Sequence, residues 1–156
     1  MFRSHGTIFP LFHAGATDAG GSAAQPTPSY PAGIDVVRLA SGLPRALAGE
    51  GLVMFRVTYA PGAVIEPHTD PGAAMYSVES GTITLRVETG VASLQHAGSE
   101  ETRDLHVGDS VTMAAGDAVF YDAGTTHRTS NGGKEPAVMI VSAIFVPNRP
   151  ILQPAR

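Results

Sequence analysis

From residue 34 onward the chain alternates between short β-like runs and turn residues. Residues 52–59, "LVMFRVTY", place Val53, Phe55, Val57 and Tyr59 on one face and Arg56 on the other. Residues 81–90, "GTITLRVETG", alternate more cleanly, with Ile83, Leu85 and Val87 opposite Thr84, Arg86 and Glu88. Residues 109–124, "DSVTMAAGDAVFYDAG", predict two strands about Gly116-Asp117. Residues 135–147, "EPAVMIVSAIFVP", predict a long apolar strand buried on both faces. Residues 41–51 have room for one helical turn, limited by Pro44 and the glycines. Residues 94–109 are polar and read as a hairpin loop, with His96 and His106 as solvated side chains. Many short strands with Gly-rich turns and almost no helical period predict an all-β sandwich or barrel.

Upstream, residues 14–33 are rich in Gly, Ala and Pro and lack periodicity, so they read as a linker or arm. The expected organisation is an N-terminal arm over residues 1–35, a β-domain over 36–150 and a tail over 151–156. At 156 residues the chain is one domain's length, able to bury roughly 70% of its unfolded surface without a disulfide or a structural metal.

Charge and composition narrow the function classes. Net charge is −4, with one lysine, Lys134, and nine arginines that form no cluster. That argues against a nucleic-acid footprint or a polybasic membrane anchor. No apolar run approaches a membrane span. There is no cysteine, which excludes thiol chemistry. The N-terminus, "MFRSHGTIFPLFHAGATDAGGSAA", matches an export signal only in part, because Pro10 and His13 interrupt its apolar stretch. The expected location is therefore the cytoplasm, with export as the alternative.

Two stretches carry the candidate chemistry. In "EPHTDPGAAMYSVESG" (residues 66–81), strand alternation puts Glu66, His68 and Asp70 on one side. Tyr76 and Val78 share that parity and are expected to line the interior, Tyr76 as core packing, with a hydroxyl presented to a ligand as the alternative. In "GDAVFYDAGTTHRTSNGG" (residues 116–133), His127 follows the Asp122-Ala123-Gly124 turn and Asn131 lies beyond it. His68, Asp70 and His127 make a set of two imidazoles and one carboxylate. Such a set suits Fe(II), Mn(II) or a similar ion and leaves coordination positions open for substrate or dioxygen.

The same stretches resemble the paired motifs of the cupin superfamily. Gly62, five residues, His68-Thr69-Asp70, Ala74 and Gly81 follow the spacing of the first motif; Gly116, five residues, Asp122-Ala123-Gly124, His127 and Asn131 follow the second. The resemblance covers about residues 50–147 and implies a small single-domain bacterial cupin. Its expected fold is an all-β double-stranded β-helix, a jelly-roll barrel with the site inside. Such barrels commonly pair, so a homodimer is expected. The family usually holds its metal with both histidines and the glutamate of the first motif and the histidine of the second. His68 and His127 are retained here, Asp70 replaces the second histidine, and Ala74 stands at the glutamate position. Two readings follow. One is a divalent metal (Fe, Mn, Ni or Zn) held by His68, Asp70 and His127, serving a dioxygenase or isomerase. The other is a metal-free binding module for a small organic ligand, without a cofactor. The His-x-Asp…His order also resembles the iron motif of 2-oxoglutarate oxygenases. Residues 135–147 lack the Arg or Lys that would hold the co-substrate carboxylate, which sets that reading aside.

Overall fold

Alternation decides which side of each strand is buried. In the computed structural model, which describes residues 30–147, 149–150 and 153–154, twelve strands follow. They are β1 (Ile34–Gly42), β2 (Gly51–Tyr59), β3 (Val64–Thr69), β4 (Ala74–Ser80), β5 (Thr82–Thr89), β6 (Ala92–Gln95), β7 (Thr102–Leu105), β8 (Ser110–Ala114), β9 (Ala118–Tyr121), β10 (Thr126–Ser130), β11 (Ala137–Phe145) and β12 (Gln153–Pro154). They form a seven-stranded sheet ordered β1-β2-β11-β4-β9-β6-β7 and a five-stranded sheet ordered β12-β3-β10-β5-β8. Every pairing among the described residues is antiparallel. The result is a jelly roll whose two inner faces enclose one core.

The core is built from the alternating positions. Val53, Phe55, Val57 and Tyr59 of β2 and Ile83, Leu85 and Val87 of β5 are buried, as their period of two dictates. β11 departs from the expected strand buried on both faces. Its Ala137, Met139, Val141, Ala143 and Phe145 are buried, while the intervening residues are half-buried on the outer surface. The two strands around Gly116-Asp117 form as β8 and β9, but they belong to different sheets, so this turn is a corner of the jelly roll. Residues 45–49 form turns and not a helical turn. Within 94–109, β6 and β7 pair across a loop and Leu105 enters the core, so the polar segment is only partly loop. Of the expected N-terminal arm, residues 1–29 lie outside the described residues.

Gly81 is one position where the backbone needs glycine. It has φ 73°, and a Cβ there would stand 2.8 Å from the Ala137 backbone. This allows the tight turn from β4 into β5 against the start of β11. Among the described residues no helix is long and apolar enough to cross a membrane.

Candidate functional site

The two motif stretches meet inside the barrel. His68 on β3 and His127 on β10 are direct cross-strand partners, and their ring centroids lie 4.3 Å apart with planes tilted by 60°. Asp70 follows β3 by one residue. Tyr76 comes from β4 and Tyr121 from the end of β9, so the site bridges both sheets. All five side chains are buried.

Glu66 is not among them. The β3–β10 register shifts between His127 and Thr129, and the extra residue at Glu66-Pro67 breaks the alternation. Glu66 therefore points outward, where its carboxylate pairs with Arg128 at 3.2 Å. Its backbone carbonyl turns inward instead and accepts from His68 Nδ1 at 2.8 Å. That bond fixes the proton of His68 on Nδ1 and leaves Nε2 as a bare acceptor.

Asp70 is held by tyrosines. Its Oδ2 accepts from Tyr76 Oη at 3.0 Å and from Tyr121 Oη at 3.0 Å. His127 Nε2 lies 2.9 Å from Tyr121 Oη and 3.3 Å from Tyr76 Oη. These four atoms form a ring with four short edges, and the two hydroxyls bring only two protons. With both hydroxyls turned to Asp70, a bare His127 Nε2 would face two oxygen lone pairs. A third proton, on Nε2, relieves this. The alternative Nδ1 contact, to the Thr125 carbonyl, is long at 3.4 Å. The arrangement that fills the most edges without a charged histidine is a relay: His127 Nε2–H donates to Tyr121, whose hydroxyl donates to Asp70, which also accepts from Tyr76. Above it, Tyr59 Oη and Thr129 Oγ1 share a bond of 2.9 Å.

Burial sets the protonation states. Desolvation pushes Asp70 up to about 6, against the pull of the Tyr76 and Tyr121 hydrogen bonds. Desolvation drives His127 down to about 3, with the positive potential of a protonated His68 adding to the effect. His68 is also lowered by burial, opposed by its bond to the Glu66 carbonyl. Tyr76 and Tyr121 are raised well above their ordinary value, first by burial. The ring is thus a set of neutral donors around one carboxylate.

Among the described residues no three His, Cys, Asp or Glu side chains converge as metal ligands would. Ala74, at the motif's glutamate position, is the cross-strand partner of Tyr121. A hydroxyl from β9 therefore works beside a position where the motif usually places a carboxylate. Sequence reasoning missed Tyr121 and, for Tyr76, favoured core packing over a hydroxyl presented to a ligand. The signal for Tyr121 was its shared parity with Val119 on β9, which put it inside.

Asn131, the last motif residue, is structural. Its Nδ2 donates to the carbonyls of Tyr59 and Glu135 at 3.1 and 2.8 Å, and its Oδ1 accepts from Gly133 N at 2.9 Å. Asn131→Ala is expected to cost about 2 kcal/mol through these lost backbone bonds, read as a lower urea midpoint with an unchanged m-value. Asp117 has a similar role: it accepts from the amides of Ala97 and Ala114, both at 2.9 Å, and from His96 at 3.2 Å. His96 is thus tethered, though its side chain stays 60% exposed.

A jelly roll closed around a His–Tyr–Asp cluster defines the class as a cupin-type barrel. The chain belongs to the cupin domain family, whose model matches residues 55–143. Solved structures of similar fold include a Cupin 2 conserved barrel domain protein from Leptotrichia buccalis, 20% identical with a TM-score of 0.50. A recombinant oxalate oxidase in complex with glycolate is 22% identical, also with a TM-score of 0.50. The alignments cover 74% and 84% of this chain, but only 43% and 59% of those chains. At these identities the likeness is one of fold. No curated protein matches the sequence.

Proposed function

We propose that this cupin domain binds a small hydrogen-bonding molecule at the His68–Asp70 end of the ring, without a resident metal. The observation that carries the reading is the engagement of the donor set. Asp70 Oδ2 is shared by two hydroxyls, and His127 Nε2 is committed to Tyr121. A divalent ion on His68, Asp70 and His127 requires His127 to present a lone pair and both tyrosines to withdraw. As packed, the residues do not fit that ion.

Two atoms remain for a ligand. His68 Nε2 and Asp70 Oδ1 have no hydrogen-bond partner among the described residues. Yet no fully buried side-chain N or O atom there lacks one, so both atoms retain access to solvent. Both are acceptors. They match a molecule with two neighbouring donors, such as a diol or an amine, and repel a carboxylate.

Elemental mass spectrometry of the purified chain, incubated in turn with Fe(II), Mn(II), Ni(II) and Zn(II), tests the metal side. Less than about 0.1 equivalent of each is the expected result; near one equivalent, lost in His68→Ala, overturns the reading. A thermal-shift panel of neutral polyols, amines and dicarboxylates tests the ligand side. Stabilisation by polyols or amines, abolished in His68→Leu, supports it. A response to dicarboxylates alone overturns it.

A further inference from the structure

One cross-strand row of the seven-stranded sheet carries a cation at each end. By register, Arg38 on β1 stands opposite Phe55, Phe55 opposite Val141 and Val141 opposite Tyr76. The row continues from Tyr76 through Val119 and Leu94 to Arg103 on β7. Partners across a ladder share a face, and the residues between the two arginines are all buried in the core. Both arginines therefore belong to the inner side of an edge strand. Both are exposed. Arg56, Arg86 and Arg128 are each paired with a glutamate, whereas Arg38 and Arg103 make no ion pair among the described residues.

An inward charge on an edge strand is one way to keep sheets from joining. That suffices for Arg103, because Leu94 and Val119 beside it are 1% exposed and leave no room. The Arg38 half differs. Phe55 and Val141 each keep 7% exposure and Tyr76 keeps 5%, although all three face inward. Open space therefore runs along this half of the row, between Arg38 and the Tyr76 hydroxyl that holds Asp70. We propose that Arg38 is a specificity-determining residue that holds the anionic end of the ligand, a carboxylic acid with an amine or hydroxyl at the far end of an apolar chain. This rests on the reading that His68 and Asp70 receive a donor group.

Each part of such a molecule has a counterpart in the row. The donor end meets His68 Nε2 and Asp70 Oδ1. The apolar middle lies on Val141 and Phe55. The carboxylate meets the Arg38 guanidinium, whose planar fork suits it, at the end away from the Asp70 carboxylate that would repel it. Three strand spacings from β1 to β4 come to about 14 Å, and the reach of the Arg38 and Tyr76 side chains shortens this. Eight bonds of an extended chain cover about 10 Å, at about 3.8 Å for each three, so an acid of about eight carbons fits the span.

Three probes of similar length separate the two ends: 8-aminooctanoate, octylamine and octanoate, each titrated calorimetrically into the full chain. 8-Aminooctanoate should bind at least about 5-fold more tightly than octylamine, the yield of one partly exposed ion pair. Octanoate, which lacks the donor, should bind more weakly than 8-aminooctanoate by at least the same factor. Arg38→Gln should erase the preference for 8-aminooctanoate over octylamine and leave octylamine affinity unchanged. Arg103→Gln should leave the preference intact. Equal affinities for the two amines in the natural chain overturn the proposal. So does a preference that survives Arg38→Gln, which would make Arg38 an edge guard only, or one that Arg103→Gln removes as well. Octylamine binding that is lost in His68→Leu but shows no preference for the acid removes Arg38 from the site and leaves the His68–Asp70 reading standing. Binding of none of the three overturns the proposal, and the His68–Asp70 reading is then decided by the panel of polyols and small amines.

Discussion

Tyr121→Phe should lower the stability of the domain by about 3–5 kcal/mol, although it removes one oxygen atom. That oxygen is the joint of the relay, 3.0 Å from Asp70 Oδ2 and 2.9 Å from His127 Nε2. Without it the buried carboxylate keeps one donor of two, and the buried Nε2–H has only the 3.3 Å contact to Tyr76. A hydrogen bond to a charged group is worth about 1.5–3 kcal/mol, and an unsatisfied buried donor costs about 1–3 kcal/mol. Tyr76→Phe removes one bond to Asp70 and only a long contact to His127, so its cost should be about half as large. The melting temperature falls by about 2–4 °C per kcal/mol in a domain of this size. Thermal unfolding of the two variants side by side reads the difference. Equal losses would mean that His127 does not donate to Tyr121, and the relay assignment would fall.

The contrast between these tyrosines shows what the sequence could and could not reveal. β2 and β5 were legible because each buries one face, so a period of two is written into their residues. β1 was not. It is an edge strand, most of its residues are exposed, and no burial pattern forces alternation on it. The inward placement of His68 and His127 was legible from motif spacing, but Glu66 was assigned to the wrong face. Parity assumes a regular pleat, and the bulge before His68 cancels it. Tyr121 was hidden for another reason. It sits 51 residues from Asp70 in sequence, on a strand of four residues whose parity with Val119 places it inside but does not say what it meets there. What brings it into the cluster is the register of β4 on β9, which sets it opposite Ala74. The loss of a carboxylate at Ala74 was readable; the hydroxyl that takes up the neighbouring space was a property of the pairing.

The pH dependence of stability gives the other large effect, and its sign differs between the two ends of the relay. His127 titrates near 3 in the fold instead of 6.5. The unfolded chain therefore binds a proton there that the folded chain refuses. Its contribution is present above about pH 6.5 and is lost as pH falls toward 3, up to about 5 kcal/mol at 1.36 kcal/mol per unit. Asp70 titrates near 6 instead of 3.8, so the folded chain holds a proton that the unfolded chain releases. Its contribution is present below about pH 3.8 and is lost as pH rises through 6, up to about 3 kcal/mol. Between pH 4 and 6 the two oppose each other, and His68, also lowered, tips the balance toward acid lability. Relative to their own stability at pH 7, Asp70→Asn should lose about 2–3 kcal/mol more than the wild type on acidification to pH 4. His127→Gln, which keeps a donor, should lose about 3 kcal/mol less. Parallel curves for all three chains would refute the assignment. The ring also predicts what happens to the protons themselves. Once Asp70 is protonated it no longer needs the Tyr121 hydroxyl as a donor and can donate to it. Tyr121 then turns to His127 Nε2, and the imidazole proton moves to Nδ1, toward the Thr125 carbonyl. Nitrogen-15 spectra of His127 should therefore show Nε2–H above about pH 6 and Nδ1–H below it, with the ring neutral throughout. A single tautomer across that range would separate Asp70 from His127 and leave Tyr121 as two independent hydrogen bonds.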